Sequence, residues 1–277
     1  RAVDIAIDAF HEDRLHMGEF IRHRPDLVSD QTVLQGPQPC LIDQRFRQML
    51  VHLAVPIGQQ LQRALTFALN RALGAFYGLA LGDALGMPTQ SLNRETIKTR
   101  FGKITDLQDA GPLQPIAANM PKGSITDDTE QAILVGELLV EGKGRIEPAV
   151  LAQRLIEWEA EMQAKGSQDL LGPSTKRAID MILAGHTPEE SGRYGTTNGA
   201  AMRITPVGIA ADVAKPQPFI AAVVQACQVT HNTTLGISSA AAVAAVVSAG
   251  INGMGLGEAL NLGQQIAQQA EAHGHWV

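Results

Sequence analysis

Aromatic residues are scarce in this chain, and small residues take their place. Phe, Tyr and Trp make up 4% of the 277 residues, whereas glycine alone contributes 27. A hydrophobic fraction of 45% with so few rings predicts a core of closely approaching helices with small side chains. The length allows one large domain or two modest ones.

Cysteine and excess positive charge are also lacking. The two cysteines, Cys40 and Cys227, are far apart in the sequence, which excludes a disulfide framework and a Cys/His zinc site and predicts a cytoplasmic location. The net charge of −6, without any basic stripe, argues against nucleic acid as a partner. Residues 1–24 are mixed and charged, unlike a signal peptide. The uncharged residues 234–254 are rich in Ala and Gly, so we expect a buried core helix there and no membrane partner.

Composition divides the chain near residue 67. Residues 1–66 hold four of the eight histidines without any metal-ligand spacing, and we assign them as an N-terminal extension of unknown role, with a non-native origin or poor order left open. Beyond them strand patterns are nearly absent, so the predicted fold class is all-α. Apolar periodicity and turn residues predict helices at about 68–86, 127–141, 148–165, 174–184, 218–229, 237–251 and 255–272.

The first of these helices carries a glycine every fourth residue, from Gly74 to Gly86. These glycines share one helix face, and the missing side chains would let another backbone approach closely. A membrane-spanning pairing motif is the alternative, but Arg71 and Asp83 bracket too short an apolar run.

Two polar segments are candidates for chemistry. Thr126, Asp127 and Asp128 stand at the start of a predicted helix, as ligands for a hard cation such as Mg²⁺ or simply as a helix cap. The Gly- and Thr-rich segment before Asn198 is typical of a loop that cradles phosphate or ribose, or of an ordinary capped loop. His231, at another helix start, could meet a ligand or serve only as a hydrogen-bonded cap.

Four stretches in register resemble the ADP-ribosylglycohydrolase family, which includes the dinitrogenase-reductase-activating glycohydrolases and the ADP-ribosyl-acceptor hydrolases. They read GAFYGLALGDALG (74–86), TDDTE (126–130), NGAAMRITPVG (198–208) and THNTTLG (230–236). The resemblance implies an orthogonal multi-helix bundle around a binuclear metal site. Residues 67–277 would be the N-terminal portion of such a domain, incomplete at its C-terminal end.

The resemblance also implies roles for individual residues. Thr126, Asp127 and Asp128 match the first metal motif, for Mg²⁺ or for Mn²⁺ as the alternative, and the two aspartates are the catalytic candidates, as ligand or base. The ligand-binding candidates are Gly195, Thr196, Asn198 and His231, around the ADP-ribose. A structural role is expected for Arg203.

The implied activity is a glycosidase-type hydrolysis. A metal-dependent enzyme would cleave the N- or O-glycosidic bond of an ADP-ribosylated protein, or of a related ribosyl conjugate, and release ADP-ribose through an oxocarbenium-like transition state. The alternatives are a nucleoside- or sugar-conjugate hydrolase of the same family, and a non-catalytic relative similar to the family's lens crystallins.

Two departures from the family pattern affect the expected activity. Gln90 stands where many members carry a glutamate, and an amide cannot act as a base. No aspartate follows Asp212, so the family's second metal motif is missing, as expected for a C-terminally truncated sequence. We therefore expect this chain to bind divalent metal poorly and to be inactive.

Overall fold

The computed structural model describes the backbone of residues 59–164 and 171–276, with side chains from residue 67 onward in these ranges. Residues 1–58 of the predicted N-terminal extension lie outside the described residues. Within the described ranges the chain forms helices and one isolated bridge, between Thr233 and His275, but no strand. The predicted all-α class is confirmed.

The predicted helices are present close to their expected bounds. The segment interpreted as irregular (91–122) contains a helix that was missed, and three further short helices lie between residues 188 and 210. The first helix begins well before residue 67, so the compositional boundary falls inside it. The helices of the described ranges are α1 (Gln59–Gly86), α2 (Arg94–Arg100), α3 (Asp127–Glu141), α4 (Pro148–Ala164), α5 (Pro173–Leu183), α6 (Pro188–Ser191), α7 (Gly199–Met202), α8 (Thr205–Ala210), α9 (Pro216–His231), α10 (Thr234–Ile251) and α11 (Leu256–Ala270).

Local sequence explains where several of these helices begin. Proline is the first residue of α4, α5, α6 and α9, where its fixed φ suits the first turn and its missing N–H would have no helical partner. Thr233 precedes α10, and its hydroxyl accepts a hydrogen bond from the Gly236 N–H at 3.0 Å.

The chain divides into two compact units. Among the described residues, the first combines 59–67 with 77–126, and the second combines 68–76 with 127–164 and 171–276, so α1 contributes to both. In the described part of the first unit, small side chains pack around Leu107 and Met87. The chain passes from the first unit to the second at the Thr126–Asp127 peptide bond.

Helix α10 lies in the core of the second unit. It packs against α7, α8, α9 and α11, and its alanines at 240, 241, 244, 245 and 249 are completely buried. A Cβ built on Gly208 of α8 would lie 2.6 Å from the Ala244 carbonyl oxygen, and one on Gly263 of α11 would lie 3.0 Å from the Ala242 carbonyl oxygen. Glycine at these two positions is therefore what lets the neighbouring helices approach the α10 backbone.

By length and composition, α10 could also cross a membrane. Of the helices in the described ranges it alone meets that test, with a mean hydropathy of 1.8 over 18 residues. The core helix of a globular domain meets the same test. The close contacts of Gly208 and Gly263 with α10 support the predicted core role.

The glycine stripe of α1 behaves differently from the prediction. A Cβ built on Gly74, Gly78, Gly82 or Gly86 would meet no atom within 4 Å among the residues that the structure describes. The expected close approach of a second backbone at this face is therefore wrong for the described part of the chain. The periodic spacing of the glycines shows that they share one face of α1, but it does not show which residues cover that face.

Candidate functional site

Thr126 is held by polar side chains of the first unit. It is 2% exposed; its N–H donates to Asp83 Oδ2 at 2.8 Å and its hydroxyl donates to Asp83 Oδ1 at 2.7 Å. Gln90 Nε2 donates to the Thr126 hydroxyl at 3.3 Å. Sequence reasoning assigned Asp83 no role; the available signal was a carboxylate within the small, apolar face of α1. The Gln90 amide thus lies beside the first residue of the candidate metal motif.

The acidic residues that follow belong to the second unit and occupy the first turn of α3. Asp127 Oδ2 accepts a hydrogen bond from Gln131 Nε2 at 3.3 Å, one helical turn later. Glu130 Oε2 accepts from the indole N–H of the buried Trp158 at 2.8 Å. Carboxylates are favoured at a helix N-terminus because the unpaired N–H groups there carry partial positive charge.

Arg203 connects α3 to α9 through the interior of the second unit. Its side chain is fully buried, and Nη1 donates to Gln131 Oε1 at 3.2 Å. Nη2 donates to the Thr230 hydroxyl at 2.6 Å and to the Ala226 carbonyl oxygen at 3.4 Å, while Nε has no partner among the described residues. The structural role expected for Arg203 agrees with these contacts, which link α3 to α9.

His231 extends this chain of hydrogen bonds from Arg203 and Thr230 to the Gly- and Thr-rich segment before Asn198, the candidate ligand loop. The ring is fully buried, with Nδ1 2.8 Å from the Thr230 hydroxyl and Nε2 2.9 Å from the Thr197 hydroxyl. Thr197 is half-buried and stands directly before Asn198. Sequence reasoning named both neighbours of Thr197 but missed Thr197 itself, because nothing in a Gly-Thr-Thr-Asn run distinguishes the hydroxyl that faces the histidine.

Burial shifts the pKa values of Arg203, His231 and Cys227. Desolvation lowers the pKa of Arg203 to about 10, so the guanidinium remains charged at neutral pH, and the nearby carboxylate of Asp127 favours the charged form. Desolvation, followed by the charge of Arg203, lowers the pKa of His231 to about 3, which makes the ring neutral. Burial raises the pKa of Cys227 to about 12, so this cysteine is an inert thiol.

The candidate ligand loop is anchored through its first glycine. The Gly195 N–H donates to the Gly192 carbonyl oxygen at 3.1 Å, and the Gly195 carbonyl oxygen accepts from the Thr233 hydroxyl at 2.6 Å. A Cβ on Gly195 would clash with the Thr230 carbonyl oxygen. Gly195 therefore has a packing role of its own, whereas the side chains of Thr196 and Asn198 are exposed and face solvent.

The residues after His231 make backbone hydrogen bonds to two distant parts of the chain, at Gly192 and His275. The Asn232 N–H donates to the Gly192 carbonyl oxygen at 2.8 Å, and the Asn232 carbonyl oxygen accepts from the His275 N–H at 3.1 Å. The Thr234 N–H returns a hydrogen bond to the His275 carbonyl oxygen at 2.9 Å. The loop, the end of α9 and residues 274–275 are thus held in one place by backbone hydrogen bonds.

The donors of the acidic turn match Mg²⁺ in kind but not in number. A hydroxyl and two carboxylates at Thr126, Asp127 and Asp128 are hard oxygen ligands. Among the described residues, however, no group of three or more His, Cys, Asp or Glu side chains could hold a metal ion. The turn therefore does not form a complete metal site from the described side chains.

The sequence model of the ADP-ribosylglycohydrolase family matches residues 64–276, most of the chain. The chain belongs to the ADP-ribosylglycohydrolase family. The matched residues include Asp83, the acidic turn, the loop before Asn198 and the buried Arg203–His231 path. The resemblance read from four short motifs is thereby confirmed.

Relatives within the ADP-ribosylglycohydrolase family include an uncharacterized Escherichia coli protein, YegU, 34% identical over 66% of this chain and 55% of its own length. ADP-ribosyl-[dinitrogen reductase] glycohydrolase of Rhodospirillum rubrum is 30% identical over 68% of this chain and 60% of its own length. A solved structure titled ADP-ribosylglycohydrolase-related protein complex superimposes with a TM-score of 0.56 and 25% identity, covering 74% of this chain and 64% of that one. The chain thus spans little more than half the length of the curated relatives it matches.

Proposed function

We propose that this family member acts on ADP-ribosylated protein, or on a related ribosyl conjugate, and hydrolyses the glycosidic bond at the ribose. The single observation that carries the proposal is the buried path from Asp127 to Thr197, which ties the acidic turn to the loop before Asn198. The name of the Rhodospirillum rubrum relative supports the substrate class.

The roles of individual residues follow from their surroundings. Asp127 or Asp128 would accept a proton from the attacking water, whose oxygen bonds to the anomeric carbon as the bond to the acceptor atom breaks. The carboxylate would then release that proton to the leaving acceptor, which restores the base. His231 is a poor candidate for this base, because it is buried and burial lowers its pKa to about 3. Its role would be to hold Thr197, beside the exposed Thr196 and Asn198 that would contact ADP-ribose.

A divalent cation is part of this proposal. Thr126, Asp127 and Asp128 would supply part of the ligand set, and Mg²⁺, or Mn²⁺, would supply a Lewis acid that orients the ribose and lowers the pKa of the attacking water. Because the described residues contain no larger group of metal-ligating side chains, we propose that the 277-residue chain by itself binds the cation weakly and turns over slowly or not at all.

The test compares substrates and lengths of protein. The 277-residue chain, and the protein as its gene encodes it, are incubated with Mg²⁺ and ADP-ribosyl-arginine, an ADP-ribosyl-serine peptide or plain nucleosides. Release of free ADP-ribose from either of the first two is expected from the gene-encoded protein and is lost in Asp127→Asn. Absence of release from both conjugates by that protein would overturn the proposed function.

A second candidate is a non-catalytic ADP-ribose-binding protein. The Gln90 amide favours it, because the group 3.3 Å from the Thr126 hydroxyl cannot take up a proton. In the same assay this candidate predicts binding of ADP-ribose without release from any conjugate.

A further inference from the structure

Arg203 fixes the direction of the hydrogen bonds around it, because a guanidinium donates and never accepts. The Gln131 oxygen must face Arg203 Nη1, 3.2 Å away. The Gln131 amide nitrogen is then turned towards Asp127 Oδ2, 3.3 Å away. At this end of the hydrogen-bonded path, Gln131 is therefore the donor and Asp127 of the acidic turn is the acceptor.

Thr230, on the other side of Arg203, is oriented by the guanidinium in the same way. Its hydroxyl oxygen accepts from Arg203 Nη2 at 2.6 Å. Its own proton has one remaining partner among the described residues, His231 Nδ1, 2.8 Å away. Were Nδ1 the protonated nitrogen, the Thr230 proton would be buried without an acceptor, which folded proteins avoid. Nδ1 is therefore the acceptor.

A neutral imidazole with an accepting Nδ1 carries its proton on Nε2. Nε2 lies 2.9 Å from the Thr197 hydroxyl oxygen, which consequently accepts from it. The Thr197 hydroxyl then keeps its own proton, and the described residues contain no further partner for it. This half-buried donor stands between the exposed Thr196 and Asn198.

We propose that Arg203 is a positioning residue: through Thr230 it sets the Nε2–H tautomer of His231 and so leaves the Thr197 hydroxyl free to donate to an acceptor oxygen of the ligand. The identity of that ligand as ADP-ribose rests on the proposed function, whereas the tautomer is a property of the protein alone. The low pKa of His231 is consistent with a neutral ring.

Long-range proton–nitrogen NMR correlations of the imidazole rings test the tautomer in the wild-type chain at neutral pH. His231, assigned by the resonances lost in His231→Asn, is expected as Nε2–H. Thr230→Ser should retain that tautomer because it keeps the hydroxyl, whereas Thr230→Ala should give a mixture. An Nδ1–H tautomer in the wild type would overturn the proposal.

Substitution of Arg203 tests its positioning role by the same spectrum. In Arg203→Lys a single ammonium replaces the fork that serves both Gln131 and Thr230, so a mixture of tautomers is expected. Arg145→Lys, at an exposed position, is the matched control and should leave the spectrum of His231 unchanged. An unaltered tautomer in a folded Arg203→Lys chain would remove Arg203 from the proposal, and if that chain does not fold, the Thr230 pair decides.

Calorimetric titration with ADP-ribose tests the donor role of Thr197. Thr197→Val is expected to weaken binding roughly tenfold, since one hydrogen bond to a charged acceptor is lost, and Thr197→Ser should restore it. Thr105→Val, at an exposed position outside the loop, should bind as the wild type does. Equal binding by Thr197→Val would overturn the donor role while the proposed function stands. Absence of binding by the wild type would instead count against the function and leave the tautomer result intact.

Discussion

At the scale of single residues, His231 shows how a ligand-site motif and a buried histidine can be the same feature. It was predicted from its motif to lie near the ligand, yet the ring is fully buried and reaches the loop through Thr197. Its low pKa makes this burial measurable, because a group that titrates differently in the folded and unfolded chain makes stability depend on pH.

His231→Asn should reduce the loss of stability in acid. In the unfolded chain the ring gains its proton near pH 6.5, whereas in the folded chain it does so only near pH 3. The unfolded state is therefore favoured as pH falls through this window, and the wild-type free energy of unfolding should drop by about 1.4 kcal/mol more per pH unit than that of His231→Asn. Urea unfolding between pH 6 and pH 4 measures the difference.

The exposed His273 provides the control for this prediction. His273→Asn makes the same substitution at the surface, and its slope is the reference for that of His231→Asn. Parallel slopes for the wild type and His231→Asn would contradict the burial of a neutral His231.

Some residues of the candidate site can be predicted from the sequence, and others are found only in the structure. Thr126, Asp127, Asp128 and His231 stand in motifs that are contiguous in the chain, so a reader of the sequence finds them. Gln131 and Thr197 belong to the site only because of the way their side chains are oriented. That orientation depends on hydrogen bonds that begin at the fully buried Arg203. No local pattern encodes that direction, since it arises from the hydrogen bonds of one guanidinium to residues of α3 and α9, which are far apart in the chain.

At the scale of elements, two helical glycines differ in how closely other helices approach them. Gly208 of α8 faces α10, where a Cβ would lie 2.6 Å from the Ala244 carbonyl oxygen and 2.8 Å from the Val247 Cβ. Gly82 of α1 would meet no described atom within 4 Å. Both are helical, so the difference lies in packing.

Gly208→Ala should therefore destabilise the protein, by about 1–3 kcal/mol, because the added methyl group overlaps backbone atoms that cannot move away cheaply. Gly82→Ala should stabilise it, by about 0.5–1 kcal/mol, since alanine restricts the unfolded chain and favours the helix. Urea unfolding of both variants checks the signs. A destabilising Gly82→Ala would mean that the glycine face of α1 is covered.

The same two glycines explain why helix positions were predictable and helix packing was not. Apolar periodicity and proline at first turns are local signals, and they give the bounds of α3 and α4 closely. The four-residue glycine spacing also is local, and it predicted a shared face correctly. Which face meets another helix depends on residues far away in the chain, such as Ala244 opposite Gly208.

At the scale of the whole molecule, the acidic turn lacks further metal ligands among the described residues. Calorimetric titration of Mg²⁺ into the 277-residue chain should accordingly give weak binding, roughly millimolar or weaker, with few protein ligands to replace bound water. Asp127→Asn and Asp128→Asn should each abolish the residual heat, whereas Asp180→Asn on α5 should not. Tight stoichiometric binding by the wild-type chain would contradict this expectation.

The proposed function requires this member of the ADP-ribosylglycohydrolase family to recognise ADP-ribose through the loop anchored by Gly195 and His231. Calorimetric titration of the 277-residue chain with ADP-ribose, adenosine and ribose 5-phosphate tests it most directly. We expect saturable one-to-one binding of ADP-ribose that is clearly tighter than that of either fragment. Absence of saturable heat with ADP-ribose, or equal binding of adenosine, would contradict it.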